Sequence, residues 1–143
     1  MDDNCMTLTF PSHSVNEGLA RAAVAGFVAQ LDPTVEELCD LKTALSEAVT
    51  NAVVHGYRDT IGTVYIYARR KGDRVILRVR DKGCGIENIP KAMEPLYTTS
   101  PGGECAGLGF SVMQELCDRV RVTSAPGRGT TVTLERRITS KGE

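Results

Sequence analysis

The chain has 143 residues, 41% of them hydrophobic and 24% charged, with a formal net charge of −1, so one domain with a self-sufficient core is the economical reading. That balance, with Lys and Arg scattered apart from Arg69-Arg70-Lys71 and Arg136-Arg137, argues against a nucleic-acid-binding protein. No apolar run is long enough to span a membrane, and the acidic start Met1-Asp2-Asp3-Asn4 lacks the regions of a secretory signal, so a cytoplasmic protein without membrane contact is expected.

Residues 6–10 form a short strand candidate. Ser14-Val15-Asn16-Glu17 fits a capping box, in which a serine hydroxyl and a glutamate carboxylate cover the open amides of a helix start. In the helix that follows, Val15, Leu19, Ala22, Ala23, Gly26 and Phe27 fall on one side, which predicts the packed face and sets Arg21 on the outward side. Asp32-Pro33 closes this helix and opens a second one over residues 34–55, capped by Gly56. Its stripe of Leu38, Leu41, Leu45, Ala48, Val49 and Ala52 is the buried side, and Glu47 and Asn51, one turn apart, point away from it together.

Residues 63–70 and 74–80 alternate around Lys71-Gly72-Asp73 as a hairpin, with Val64, Ile66 and Ala68 on one face and Val75, Leu77 and Val79 likewise on the partner strand. Residues 81–107 are rich in Gly, Pro, Ser and Thr, with a short helical stretch at 89–93; such a segment is a lid, a binding loop or disorder. A helix over 109–118 and strands over 119–123 and 129–138 complete the chain. The order predicts an α+β two-layer sandwich, helices on one face of a mixed, mainly antiparallel sheet. One domain over 1–143 is expected, with short flexible ends at 1–5 and 139–143. The five cysteines, at 5, 39, 84, 105 and 117, make no CxxC pair and stand at no zinc spacing from either histidine, so they read as reduced thiols.

Four clusters carry chemistry. In Asp81-Lys82-Gly83-Cys84-Gly85, an aspartate at a strand end can accept from an exocyclic amine while glycine backbone passes close to a flat base. Alone it is a polar turn. Gly107-Leu108-Gly109 opens a helix, where free amides and the positive dipole end bind phosphate oxygens, though it is neither a full GxGxxG nor a Walker A motif. The preceding Ser100-Pro101-Gly102-Gly103-Glu104 would fold over a bound triphosphate. Asn51 offers Mg²⁺ a neutral oxygen, and Glu47 can deprotonate a hydroxyl or water attacking a γ-phosphoryl group. A lone Glu-xxx-Asn is an ordinary polar helix face; the clusters together describe an ATP site.

In this order, and with Gly129-Thr130-Thr131 on a last strand, the clusters resemble the GHKL ATPase superfamily (the Bergerat fold) of gyrase B, Hsp90, MutL and histidine-kinase catalytic domains. Phe27-Val28-Ala29-Gln30-Leu31-Asp32-Pro33, Ser46-Glu47-Ala48-Val49-Thr50-Asn51-Ala52, His55-Gly56-Tyr57 and Pro95-Leu96-Tyr97-Thr98-Thr99 look like the anti-sigma F factors of spore-forming bacteria, a resemblance running from about residue 6 to 136. The resemblance implies a protein that holds a sporulation sigma factor inactive and uses ATP and Mg²⁺ to phosphorylate a serine of an anti-anti-sigma partner. It makes Glu47 the general base, Asn51 the Mg²⁺ ligand and Asp81 the reader of the adenine amine. Gly83 and Gly85 shape that pocket, Thr130 supports it, and Thr98, Thr99, Gly107, Leu108 and Gly109 join the nucleotide site. Glu17 and Arg21 become partner-docking residues on the first helix.

A homodimer is also implied, and the edge of strand 6–10 offers one surface for it. No histidine-bearing helix precedes the domain, so the substrate is expected in trans. Where such relatives often carry a lid arginine this chain has Cys105, so another cation substitutes or closure is weaker. Three alternatives stand beside this one: a stress-response anti-sigma serine kinase, a histidine-kinase ATPase domain cut from its parent, and an anti-sigma binding module that uses nucleotide only as a conformational ligand. Glu47 favours an enzyme, because pure binding requires no base.

Overall fold

A computed structural model describes residues 3–93 and 109–139. β1 (Asp3–Pro11) leads into α1 (Asn16–Val28), a 3₁₀ turn (Ala29–Leu31), α2 (Val35–Thr50) and a π-helical turn (Asn51–Gly56). The hairpin β2 (Thr63–Lys71) and β3 (Arg74–Asp81) follows, then a short α3 (Ile89–Ala92), α4 (Phe110–Leu116), β4 (Arg119–Ala125) and β5 (Gly129–Arg137). The strands form one sheet in the order β1-β2-β3-β5-β4. The expected α+β sandwich is what the chain builds, and every ladder among the described strands is antiparallel.

Alternation along the strands decides the layering. Val64, Ile66 and Ala68 of β2, Val75, Leu77 and Val79 of β3, and Val132 and Leu134 of β5 are buried, while Arg78 and Arg80 point to the exposed face. α2 fills the middle of the helical layer, with Leu41, Ala44, Leu45, Ala48 and Val49 out of solvent. Burying each leucine there is worth roughly 1.5–3 kcal/mol before entropy is counted. Gly72, at φ 60°, supplies the left-handed residue of the β2–β3 hairpin.

Three local expectations are corrected. The capping box belongs to the second helix. Ser14 lies in a turn before α1, whose N-terminus has no side-chain cap, and Glu17 instead accepts a 2.7 Å hydrogen bond from the Thr50 hydroxyl on α2. At α2, Thr34 caps with Pro33 just outside the helix: its amide donates to Glu37 at 2.9 Å, and the Glu37 amide donates to its hydroxyl at 3.1 Å. The packed face of α1 is also rotated, keeping only Phe27 of the expected set buried. Ala20, Val24, Phe27 and Val28 are buried, whereas Val15 and Leu19 are 82% and 50% exposed and Ala22 and Gly26 are exposed with them. Finally, the described parts of the two ends, residues 3–5 and 139, are tied in. Residues 3–5 pair with β2, and Thr139 donates both its amide and its hydroxyl to Glu37 Oε2 at 2.8 Å.

Glu37 thus joins a helix start to the end of the last strand. Burial works against its charge, but the donors from Thr34 and Thr139 outweigh burial and hold its pKa near 2, below the ordinary 4.5. A lowered carboxylate pKa stabilises the fold above the ordinary value, and that stabilisation fades as pH falls through the folded one. Denaturant unfolding should therefore show stability lost between pH 4.5 and about 2, a loss that Glu37→Gln removes. Thr34→Ala should cost about 1 kcal/mol at neutral pH.

Candidate nucleotide site

The site begins where α2 changes pitch. Tyr57 donates its amide to Ala52 at 3.0 Å, one residue further back than an α-helix allows. The wider turn buries Asn51, Ala52, Val53 and His55 and sets Gly56 against the end of β3. A Cβ on Gly56 would stand 2.7–2.8 Å from the Asp81 carboxyl group, and a Cβ on Gly83 would collide with the Gly56 carbonyl. With both side chains absent, the Cys84 amide reaches Gly56 O at 2.9 Å and the Cys84 thiol reaches His55 O at 3.0 Å. Gly85, at φ 77°, sits where any Cβ would strike the Ala125 carbonyl.

This packing aims Asp81 into a partly closed pocket between the π turn, β3 and β5. The carboxylate is 5% exposed and accepts the Gly83 amide at 2.9 Å. Burial pushes its pKa up to about 6, against amide hydrogen bonds from Gly83 and Thr130. Around it stand Thr130, Gly85 and Asn51, with apolar walls from Ala48, Val79, Ile86, Phe110 and Val132. Apolar walls with few convergent polar groups suit a flat heterocycle that carries a hydrogen-bonding edge.

Asn51 lines this pocket and is buried, whereas Glu47, one turn earlier, is half-buried beside it. Asn51 Nδ2 is the one buried side-chain nitrogen or oxygen without a partner among the described residues. A buried amide with an unsatisfied end fits a ligand-holding role, and its oxygen is a group that Mg²⁺ accepts beside phosphates and waters. No cluster of three acidic, histidine or cysteine side chains able to hold a metal occurs among the described residues, so a cation here would rest on Asn51 and the oxygens of its nucleotide. Glu47 lies against Gly109, the left-handed residue (φ 73°) at the start of α4, so closely that a Cβ there would collide with Oε2. Burial and then the nearby Glu17 charge raise the Glu47 pKa above its ordinary 4.5, the direction a general base near neutral pH requires.

Asn51, Asp81, Gly85 and Thr130 therefore line one pocket, Gly83 braces it from behind, and Glu47 meets Gly109 beside it. Thr98, Thr99, Cys105, Gly107 and Leu108 lie outside the described residues. Arg21 is not turned outward and free: half-buried, it lies along α2, with Nη1 3.4 Å from the Ser46 hydroxyl. Sequence reasoning missed further residues. His55 and Arg58 line the pocket, and burial, then the Arg58 charge, depress the His55 pKa. The Tyr57 hydroxyl donates to Thr63 O at 2.6 Å and accepts the Lys82 amide at 2.7 Å, pinning the backbone next to Asp81. The only sequence signal for this was a Gly-Tyr pair directly after a helix.

Residues 39–139 match the family model described as histidine kinase-, DNA gyrase B- and HSP90-like ATPase. The chain is 52% identical over 137 residues to the anti-sigma F factor of Thermoanaerobacter sp. (strain X514), covering 96% of each. It is 51% identical over 139 residues to that of Clostridium beijerinckii, covering 96% of this chain and 97% of the relative. Among solved structures, the RsbU and RsbW domains of a Mycobacterium tuberculosis protein superpose with a TM-score of 0.69 at 23% identity, over 94% of this chain and 32% of that one. At that identity the likeness concerns the fold alone.

Two measurements test the pocket. Calorimetric ATP affinity should fall as pH drops through about 6, where Asp81 takes up its proton, and in Asp81→Asn it should be weak and flat across the same range. Gly109→Ala forces a side chain into a left-handed position and onto Glu47. It should cost about 1–3 kcal/mol in nucleotide binding or in stability, read by titration and thermal melting together.

Proposed function

The chain belongs to the anti-sigma F factor family of histidine kinase-, DNA gyrase B- and HSP90-like ATPases, and from that premise we propose that it restrains a sporulation sigma factor and phosphorylates a serine of an anti-anti-sigma protein at the expense of ATP. The observation that carries the kinase reading is the half-buried Glu47 carboxylate, with its raised pKa, pressed against Gly109 at the head of α4 and one turn from Asn51. A nucleotide-binding module without transfer has no use for a carboxylate so placed.

In this reading Asp81 holds the adenine amine and Thr130 supports the base. A Mg²⁺ ion bound by Asn51 and the phosphate oxygens supplies charge neutralisation. Glu47 takes the proton of the partner's serine hydroxyl as its oxygen bonds to the γ-phosphorus and the bond to the ADP oxygen breaks. Phosphoryl transfer of this kind needs mostly positioning and charge compensation, which rigid elements such as α2 and β3 provide.

The docking face fits the same arrangement. Glu17 and Arg21 lie on the edge of α1 next to α2, joined to Thr50 and Ser46, which flank Glu47 and Asn51 in sequence. A protein bound there would stand close to the base. Homodimer formation remains part of the proposal, with β1 as an open sheet edge.

Labelled-phosphate transfer from ATP to a purified anti-anti-sigma protein tests this reading. Wild type should label a serine. Glu47→Gln should lose at least about 100-fold in transfer, the scale of a general base, and still bind ATP and sigma factor; undiminished transfer would remove Glu47 from the base role. Arg21→Glu should weaken sigma-factor and substrate binding, measured by interferometry, and leave ATP affinity at the wild-type value. Unchanged partner affinity would place docking elsewhere.

A further inference from the structure

Behind Thr130 sits a hydroxyl that no role above uses. Ser124 on β4 pairs with Thr130 on β5 across the ladder. Its Oγ accepts the Ile86 amide at 2.8 Å, donates to the Gly129 carbonyl at 2.9 Å and stands 2.7 Å from Thr130 Oγ1. We propose that Ser124 is a specificity-determining residue: it fixes the direction of the Thr130 hydroxyl so that Thr130 and Asp81 together present hydrogen-bond acceptors to the base and select a 6-amino purine over a 6-oxo purine. The inference rests on the reading of Asp81 as the group that meets the base.

The argument is proton counting. A serine hydroxyl has one proton to give. If that proton goes to Gly129 O, the 2.7 Å contact with Thr130 is a hydrogen bond only when Thr130 donates. Thr130 then turns its proton into the wall and leaves lone pairs toward the pocket that it lines. The reverse arrangement, with Ser124 donating to Thr130, takes the Ser124 proton away from the Gly129 carbonyl in a buried residue, a cost that the first arrangement avoids. Asp81, opposite Thr130 in the β3–β5 ladder, has only acceptors when ionised. Two neighbouring acceptors attract an amino group and repel a carbonyl oxygen.

Ser124 also holds the other wall. Through Ile86 it fixes the loop that follows Asp81, and the neighbouring Gly127 amide donates to Cys84 O at 2.7 Å. The direction of the Thr130 hydroxyl and the position of that loop are therefore set from one oxygen, outside the pocket itself.

The test compares affinities for ATP and ITP, which carries an oxo group in place of the 6-amino group, by competition against a fluorescent nucleotide with Mg²⁺ on the full chain. Wild type should prefer ATP. Ser124→Ala should lower the ATP:ITP ratio roughly three- to ten-fold, the worth of one neutral hydrogen bond. Ser124→Thr, which keeps the hydroxyl, should preserve the ratio. If the ratio collapses in Asp81→Asn but holds in Ser124→Ala, the inference falls and the base-reading role of Asp81 stands. If neither variant moves it, both fall. Should Ser124→Ala fail to fold, Thr130→Val removes the acceptor and leaves Ser124 its bonds to Ile86 and Gly129; an unchanged ratio there overturns the inference equally.

Discussion

Gly56 and Gly83 meet where two side chains would not fit, and the pocket depends on that approach. The π turn delivers Gly56 to the end of β3, the Gly56 carbonyl takes the Cys84 amide, and the absent Cβ of Gly56 leaves room for the Asp81 carboxyl group as that of Gly83 does for the Gly56 carbonyl. An α-helical ending would reach the same residue with a different rotation and lose the contact. The strain of an irregular turn is offset by the bonds made on the far side, where Tyr57 bridges Thr63 and Lys82. Asp81 is thereby held in a place that raises its proton affinity, a cost that a ligand offering an N–H donor relieves.

A second constraint ties the proposed docking edge to the proposed chemistry. Glu17 is held by Thr50, and after burial its negative charge is the other cause of the raised Glu47 pKa. The two carboxylates belong to one electrostatic group spanning α1 and α2. Any cationic group brought beside Glu17 would reduce the repulsion and lower the proton affinity of Glu47. Binding at α1 and reactivity on α2 are therefore not independent quantities, and no moving part is needed to connect them.

Much of this was legible in the residues. The β2–β3 hairpin, the stripe on α2 and the short α3 followed from periodicity and turn chemistry, because each segment has one clearly apolar side and a glycine or proline at its limit. Asp81, Asn51 and Thr130 were recognisable as a group through their order. The capping boxes were not: Ser14-Val15-Asn16-Glu17 and Thr34-Val35-Glu36-Glu37 offer the same local signal, and only the tertiary partners decide between them. Glu17 finds Thr50 and leaves its own helix uncapped, whereas Glu37 caps α2 with one oxygen and holds Thr139 with the other. The role of Ser124 was invisible for a related reason, since a hydroxyl placed between strands leaves no periodic trace.

The rotated face of α1 carries the same lesson further. Val15, Leu19, Ala22 and Gly26 recur at helical spacing as regularly as Ala20, Val24, Phe27 and Val28, so amphipathicity along this helix is too weak to name an inside. Packing chooses the second set because small Ala20 and Val24 let α1 lie close to its neighbours, at 0% exposure each. The first set is then left in water, with Val15 at 82% exposure. Apolar residues at those positions add nothing to this core and cost solubility. A helix that needed only to cover the sheet would be as well served by polar residues there, so the fold by itself does not require the apolar composition of the free face.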